Sequence, residues 1–96
     1  MEKLMLETLM EQQREYFASG ATLPVKVRME ALSRLEKALQ KQEQILCKAL
    51  HTDLGKSKTE SVMCEIGLVQ GEIRWMKQHL GRLCRTKHVR TPLAQF

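Results

Sequence analysis

A long apolar repeat in the second half of the chain constrains the fold more than any other feature. Apolar residues recur there at alternating spacings of four and three, which keeps them on one face of an α-helix. Ser57 followed by Glu60 forms a capping-box pattern just ahead of the repeat. The pattern predicts a helix over 58–84 with a buried seam of Val62, Ile66, Val69, Ile73, Met76, Leu80 and Leu83.

Two further helices are predicted ahead of this one, over residues 3–18 and 23–53. Gly20 follows the first and Gly55 follows the second, and glycine commonly ends helices because it adopts the left-handed conformation without strain. Thr22 is the expected N-cap of the second helix, since its hydroxyl can accept a hydrogen bond from the first turn. An apolar stripe runs along the second helix, interrupted by a glutamine: Leu32, Leu35, Leu39, Gln42, Leu46, Ala49 and Leu50.

The connection between the second and third predicted helices is short, which favours an antiparallel hairpin. Residues 88–96 are predicted as an extended tail, because Pro92 disfavours helix in the residue before it. The sequence therefore predicts an all-α fold. It forms a single helical segment over 1–96, with three helices of which two make the hairpin.

Length and composition exclude several classes of protein. The 96 residues can bury one modest core. No run of about 18 apolar residues is present, so no membrane span is expected. Residues 1–10 contain two glutamates and no small-residue cleavage site, unlike a signal peptide. The sequence contains three cysteines, Cys47, Cys64 and Cys84. The spacing between them matches no zinc or redox pair, so they are interpreted as reduced thiols of a cytoplasmic protein.

The third predicted helix has a second apolar face, roughly opposite its seam. At 100° per residue Cys64, Leu68, Gly71 and Trp75 fall together there, with Gly67 nearby. A glycine inside a helix costs about 1 kcal/mol relative to alanine, which suggests that a partner approaches closely. We expect this face to be covered by the missing remainder of a larger protein or by self-association in a homo-oligomer. The alternative is that Leu68 and Trp75 are simply exposed.

Charge is distributed unevenly along the chain. Residues 1–73 carry 10 basic and 11 acidic groups, a net charge of −1, whereas residues 74–96 carry six basic groups and no acid, a net +6. These sum to the overall +5. A basic cluster can bind phosphates or an anionic membrane surface. It is more often a solvated face, and with few aromatic residues to stack on bases, binding of nucleic acid is not expected.

No catalytic, cofactor-binding or metal-binding residue is predicted. The sequence lacks a glycine-rich phosphate loop and a helical metal motif. His51, His79 and His88 are far apart and are interpreted as ordinary surface or boundary residues. Glu65 and Glu72 are seven residues apart but lack the histidine partners of helical di-metal sites, so they too are interpreted as solvated surface.

The order of residues nevertheless resembles a known family. Four segments match in sequence and at the expected distances: REYFASGATLPVKVRMEALSRLEKAL (14–39), ALHTDLGKSKTES (49–61), EIGLVQGEI (65–73) and HVRTPLAQF (88–96). Together they resemble the amino-terminal segment of class-3-type, or fatty-aldehyde-type, aldehyde dehydrogenases.

That resemblance implies oxidation of an aldehyde to a carboxylic acid with NAD or NADP. In the family a cysteine thiolate attacks the aldehyde and a glutamate activates the hydrolytic water. No residue of this chain matches those catalytic motifs or the nucleotide site. The resemblance therefore implies a helical N-terminal scaffold that braces the cofactor-binding domain of a dimeric α/β enzyme and is itself non-catalytic. The alternative from another class is a free-standing helical interaction module that dimerises through the seam over 62–83.

Overall fold

The computed structural model describes residues 2–95, and these residues contain helices and turns but no strand, which confirms the predicted all-α fold. The elements run in the order α1 (Glu2–Ala18), α2 (Val25–Lys41), α3 (Glu43–Leu54), α4 (Lys58–Ser61), a π-helical turn (Val62–Ile66), α5 (Gly67–Leu83) and a short 3-10 turn (Leu93–Gln95).

Helices α2 and α5 pack against each other in antiparallel orientation. Near the start of α2 the Arg28 guanidinium donates a hydrogen bond to Cys84 Sγ over 3.3 Å, at the end of α5. Further along α2, Glu36 Oε2 accepts a hydrogen bond of 2.8 Å from Lys77 Nζ. Residue numbers thus rise along one helix while they fall along the other, and the predicted hairpin is confirmed.

The small core lies inside this hairpin and against α3. Its buried apolar residues are Cys47, Ile66, Ile73 and Leu80. The last three are seven residues apart, two α-helical turns each, so they form one line along the helix. The centre of the predicted seam is therefore buried within the chain, which does not favour the alternative of a module that dimerises through 62–83. Val69, at the flank of the seam, is 48% exposed.

A π-helical turn alters the beginning of the seam. The Gly67 N–H donates to the carbonyl of Val62, five residues back instead of four. The extra residue rotates the preceding turn, so Ser61 becomes fully buried while Val62, the predicted seam residue, is only partly buried. The buried residues from α4 to α5 are Ser61, Ile66, Ile73 and Leu80, which are five, seven and seven residues apart. An extrapolation at 100° per residue cannot anticipate this shift.

The second predicted helix is divided into α2 and α3 at Gln42, whose φ of −99° and ψ of 11° depart from helical values. This is the residue that interrupts its apolar stripe. The helix begins at Val25 with Pro24 as the N-cap residue, rather than with the expected cap from Thr22. The Thr22 carbonyl instead accepts a hydrogen bond of 2.6 Å from Arg28 Nε. The arginine side chain thereby ties the incoming loop to α2.

Helix α1 stands apart from this hairpin. None of its described residues is buried, and Leu6, Met10 and Phe17, its predicted apolar positions, are all exposed. The radius of gyration is 19.3 Å, against about 12 Å for a compact domain of this length. The described residues therefore form a packed hairpin with an extended arm, not a closed three-helix bundle.

The predicted tail is irregular over residues 86–92 and then forms the 3-10 turn, while Met1 and Phe96 lie outside the described residues. Between residues 2 and 95 no helix is long and apolar enough to cross a membrane.

Candidate functional site

The residues that could carry chemistry do not assemble into a reactive site. Cys47 is buried, whereas Cys64 and Cys84 are exposed, and all three are free thiols. Within residues 2–95 no histidine is hydrogen-bonded to a cysteine. The His51 ring contacts the Lys56 carbonyl and the His79 ring contacts the Trp75 carbonyl. A nucleophilic cysteine needs a base positioned to take its proton, and within the described residues the one side-chain hydrogen bond to a cysteine comes from a guanidinium, that of Arg28 to Cys84.

Metal and nucleotide sites are likewise absent from the described part of the chain. It contains no group of three or more acidic, histidine or cysteine side chains that could hold a metal ion. Glu65 forms an ion pair with Lys56, so it is not a free ligand. A dinucleotide site needs a strand, a glycine-rich turn and a helix in succession, and residues 2–95 offer no strand. These residues therefore do not fit NAD or NADP.

The strongest functional candidate is the uncovered face of α5 and the π-helical turn. Cys64, Leu68, Gly71 and Trp75 are all exposed there, as the two-faced pattern of this helix predicts. Leu68 is 63% exposed and Trp75 is 46% exposed. We call these four residues the docking face. No element within residues 2–95 covers it.

Two local features shape this face. A Cβ atom added to Gly71 would meet nothing within 4 Å, so the backbone between Leu68 and Trp75 is open to close approach. The Trp75 indole stacks on the His79 imidazole, with ring centroids 4.1 Å apart and planes 17° from parallel. The contact of His79 Nδ1 with the Trp75 carbonyl, at 2.7 Å, holds the imidazole in that position. The indole therefore has a defined place along the helix.

An apolar groove adjoins the docking face and was not predicted from the sequence. It runs between α5 and the α2–α3 stripe and has a volume of about 420 Å³. Cys64 and Leu68 belong to both surfaces. The sequence pattern predicted Val69 in the buried seam. Its position at the edge of that seam is the one sequence feature that could have indicated this groove. The lining residues are Leu39, Leu46, Leu50, Cys64, Glu65, Ile66, Leu68 and Val69.

The basic segment over 74–96 lies on the surface. Lys77 is its one residue engaged in an ion pair within the described part of the chain, with Glu36 of α2. The Lys77 ammonium donates a hydrogen bond to the Glu36 carboxylate and thereby lowers the pKa of that group. Arg82, Arg85 and Lys87 are exposed around the end of α5. This arrangement agrees with a largely solvated basic face.

Comparison with known proteins gives the same family as the residue pattern. The chain is 36% identical over 83 residues to the 4,4'-diaponeurosporen-aldehyde dehydrogenase of Staphylococcus aureus, covering 86% of this chain and 18% of that protein. It is 34% identical over 85 residues to the 4,4'-diapolycopene-4,4'-dial dehydrogenase of Cytobacillus firmus, and the match covers 88% of this chain and 19% of that protein. Human aldehyde dehydrogenase family 3 member B1 is 36% identical to the chain over 81 residues, and the match covers 84% of this chain and 17% of that protein.

The chain is related to the class-3-type aldehyde dehydrogenases. The predicted resemblance is confirmed, and the chain spans less than a fifth of the length of these curated relatives. It therefore matches only a segment of these relatives. No protein-family model matches the chain.

Proposed function

We propose that this chain is the N-terminal helical scaffold of an NAD(P)-dependent aldehyde dehydrogenase. The whole enzyme oxidises an aldehyde to a carboxylic acid and is a cytoplasmic dimer. The catalytic cysteine, the glutamate base and the nucleotide site belong to other parts of that enzyme. This segment acts by packing: its docking face and the adjoining groove lie against the cofactor-binding domain.

The main support for this proposal is that the core is small while large apolar side chains of α5 remain exposed. Among residues 2–95, four apolar side chains are buried, while Leu68, Val69 and Trp75 on one helix remain about half exposed or more. Full burial of a large apolar side chain stabilises a protein by about 1.5–3 kcal/mol. Covering the exposed parts of Leu68 and Trp75 would therefore contribute further stabilising free energy. That cover has to come from an element outside residues 2–95 or from a second copy of the chain.

Gly71 supports the same interpretation. It lies in the middle of α5, where alanine would favour the helix by about 1 kcal/mol. Within the described residues nothing occupies the space that its missing side chain leaves. A glycine that costs helix stability and faces open space is explained when a packed partner comes close to the backbone at this position.

A chimera tests the proposal. Residues 2–95 replace the matching segment of the Staphylococcus aureus relative, and NAD-dependent oxidation of that enzyme's own aldehyde is measured with its thermal melt. The chimera should fold and retain activity, because the segment supplies the same packing surface. Leu68→Lys and Trp75→Lys in the chimera should lower its melting temperature and its soluble yield, since each places a charge in the proposed interface.

Leu54→Lys is the matched control. Leu54 is 64% exposed, almost the same fraction as Leu68, but it is the last residue of α3 and belongs neither to the docking face nor to the lining of the adjoining groove. Its replacement should leave the chimera unchanged. If the three lysine variants behave alike, or if the chimera never folds while the parent enzyme does, this chain is not the scaffold that we propose.

A further inference from the structure

Helix α1 carries an apolar face that is uncovered within residues 2–95, apart from the docking face. At 100° per residue, six of its apolar side chains fall within an arc of about 140°. The six are Met5, Leu6, Leu9, Met10, Tyr16 and Phe17. Each of them is between 51% and 72% exposed. Glu2 and Gln13 are the polar residues within this arc. We call the six apolar residues the α1 arc.

Two charged side chains along one edge of the α1 arc make this helix complementary to a second copy of itself. Glu7 and Arg14 are seven residues apart, about two helical turns, so both lie on the edge next to Met10. Neither forms an ion pair within residues 2–95. Their midpoint falls between Met10 and Glu11, close to the middle of α1. Two α1 helices that lie antiparallel about this point therefore overlap almost completely, and Glu7 of each comes opposite Arg14 of the other.

The antiparallel orientation follows from which edges of the two helices meet. A two-fold axis between antiparallel helices brings the same edge of each helix together, whereas parallel helices bring opposite edges together. Next to the arc at its other edge lie Thr8 and Gln12, which carry no charge. A parallel pair would therefore place Glu7 and Arg14 against uncharged residues. Antiparallel helix dipoles also attract each other, while parallel ones repel.

We propose that α1 is an association helix, through which two copies of this chain form an antiparallel pair. The two α1 arcs pack against each other, and two ion pairs between Glu7 and Arg14 of opposite copies set the register. The position of α1 leaves room for this contact, because none of its described residues is buried against the hairpin. The hydrogen bond from Arg28 Nε to the Thr22 carbonyl holds the connecting loop at the start of α2. The interface uses no residue of the docking face, so it does not rest on the proposed scaffold function.

The test is sedimentation equilibrium of the full chain in a Trp75→Lys background, which weakens association through the docking face. This background chain should form a dimer at concentrations up to about 1 mM. Leu6→Lys places a charge in the α1 arc of both copies and should raise the dimer dissociation constant by about a hundredfold. Leu4→Lys is the matched control. Leu4 is 68% exposed on the same helix, against 62% for Leu6, but lies about 160° away around the helix axis, so its replacement should leave the dimer unchanged.

Exchange of charges tests the register in the same background. Glu7→Lys and Arg14→Glu should each weaken self-association by about tenfold, because each change places like charges opposite each other twice in the dimer. An equimolar mixture of these two variants should recover the affinity of the background chain, since both pairs then join opposite charges again. Glu11→Lys is the charge control. Glu11 lies on the side of α1 opposite the arc, so its replacement should leave the dissociation constant unchanged.

The outcomes that contradict the proposal are equally specific. The proposal is overturned if the background chain stays monomeric up to about 1 mM, or if Leu4→Lys and Leu6→Lys have the same effect. It is also overturned if the mixture of Glu7→Lys and Arg14→Glu associates no better than either variant alone. The hairpin should melt at the same temperature in every variant, because α1 contributes no buried residue to the core.

Discussion

At the scale of single residues, Gly67 determines the geometry of the long helix. A Cβ atom on Gly67 would lie 2.5 Å from the Val62 carbonyl oxygen, a distance that Cβ atoms essentially never show. That carbonyl lies so close because it accepts the π-type hydrogen bond from Gly67 itself. The π-helical turn and the glycine thus require each other, and together they place Ser61 in the core.

We expect Gly67→Ala to lower the free energy of unfolding by about 1–3 kcal/mol, the usual effect of forcing an extra carbon into a packed site. Gly71→Ala is the control, because a Cβ atom there meets nothing within 4 Å. It should raise stability by up to about 1 kcal/mol through helix propensity alone. Urea unfolding followed by circular dichroism compares the two. Equal effects would show that the π-helical turn is not what selects glycine at position 67.

Ser61 and Ser57 are four residues apart and should respond in opposite ways to replacement by alanine. Ser57 Oγ caps the helix by accepting a 3.2 Å hydrogen bond from the Glu60 N–H, so Ser57→Ala should cost about 1 kcal/mol. Ser61 Oγ is buried and has no hydrogen-bond partner among the described residues, so Ser61→Ala should be neutral or stabilising by up to about 1 kcal/mol. Thermal melts of the two variants decide the matter. A destabilised Ser61→Ala variant would reveal a partner for that hydroxyl.

At the scale of elements, the ion pair between Glu36 and Lys77 links α2 to α5. The hydrogen bond from Lys77 lowers the pKa of Glu36 from its ordinary value of 4.5. A carboxyl group whose pKa is lower in the folded than in the unfolded state stabilises the fold above its unfolded pKa. That contribution is lost as the pH falls through the folded pKa. The hairpin should therefore weaken in acid partly through this one pair.

Glu36→Gln tests this linkage. The unmodified chain should lose more stability than the variant between about pH 5 and pH 3, because the variant has no carboxylate to protonate at this position. Glu30→Gln removes an exposed carboxylate of the same helix that forms no ion pair within residues 2–95, and should keep the full acid sensitivity. Denaturant melts at several pH values measure the difference. Parallel pH profiles for all three proteins would mean that the pair contributes nothing.

At the scale of the whole molecule, large apolar side chains are exposed on α1 and on the docking face, and exposed apolar patches commonly mark contact surfaces. The docking face and α1 both lack cover within residues 2–95, and the radius of gyration of 19.3 Å records the resulting open shape. An isolated chain of this kind lowers its free energy by bringing such surfaces together. The role that we propose within a larger enzyme requires the same exposed surfaces.

The isolated chain should therefore self-associate and bind an apolar dye. Trp75→Lys should shift the association to concentrations several-fold higher, because Trp75 is the largest side chain of the docking face. Leu54→Lys should leave association unchanged. Sedimentation velocity at several concentrations gives the oligomeric state, and the fluorescence of the single tryptophan reports burial. Monomers that bind no dye would show that the docking face is an ordinary solvated surface.

The sequence alone determined the helical fold class, the hairpin and the family. Ile66, Ile73 and Leu80 recur at a period that only a helix satisfies, and the segments over 14–39 and 49–61 carry the resemblance residue by residue. It also singled out Leu68 and Trp75 as a second face. These features are local or strictly periodic, so they can be read without knowledge of what packs where.

The tertiary structure decided the register at the start of the long helix, the break at Gln42 and the isolation of α1. Whether Ser61 or Val62 enters the core depends on one backbone hydrogen bond, donated by the Gly67 N–H to the Val62 carbonyl. That bond rotates the preceding residues of the helix about its axis. The apolar groove likewise combines residues from different elements. Such features depend on the distances between helices, and the period of a sequence carries information only about one helix at a time.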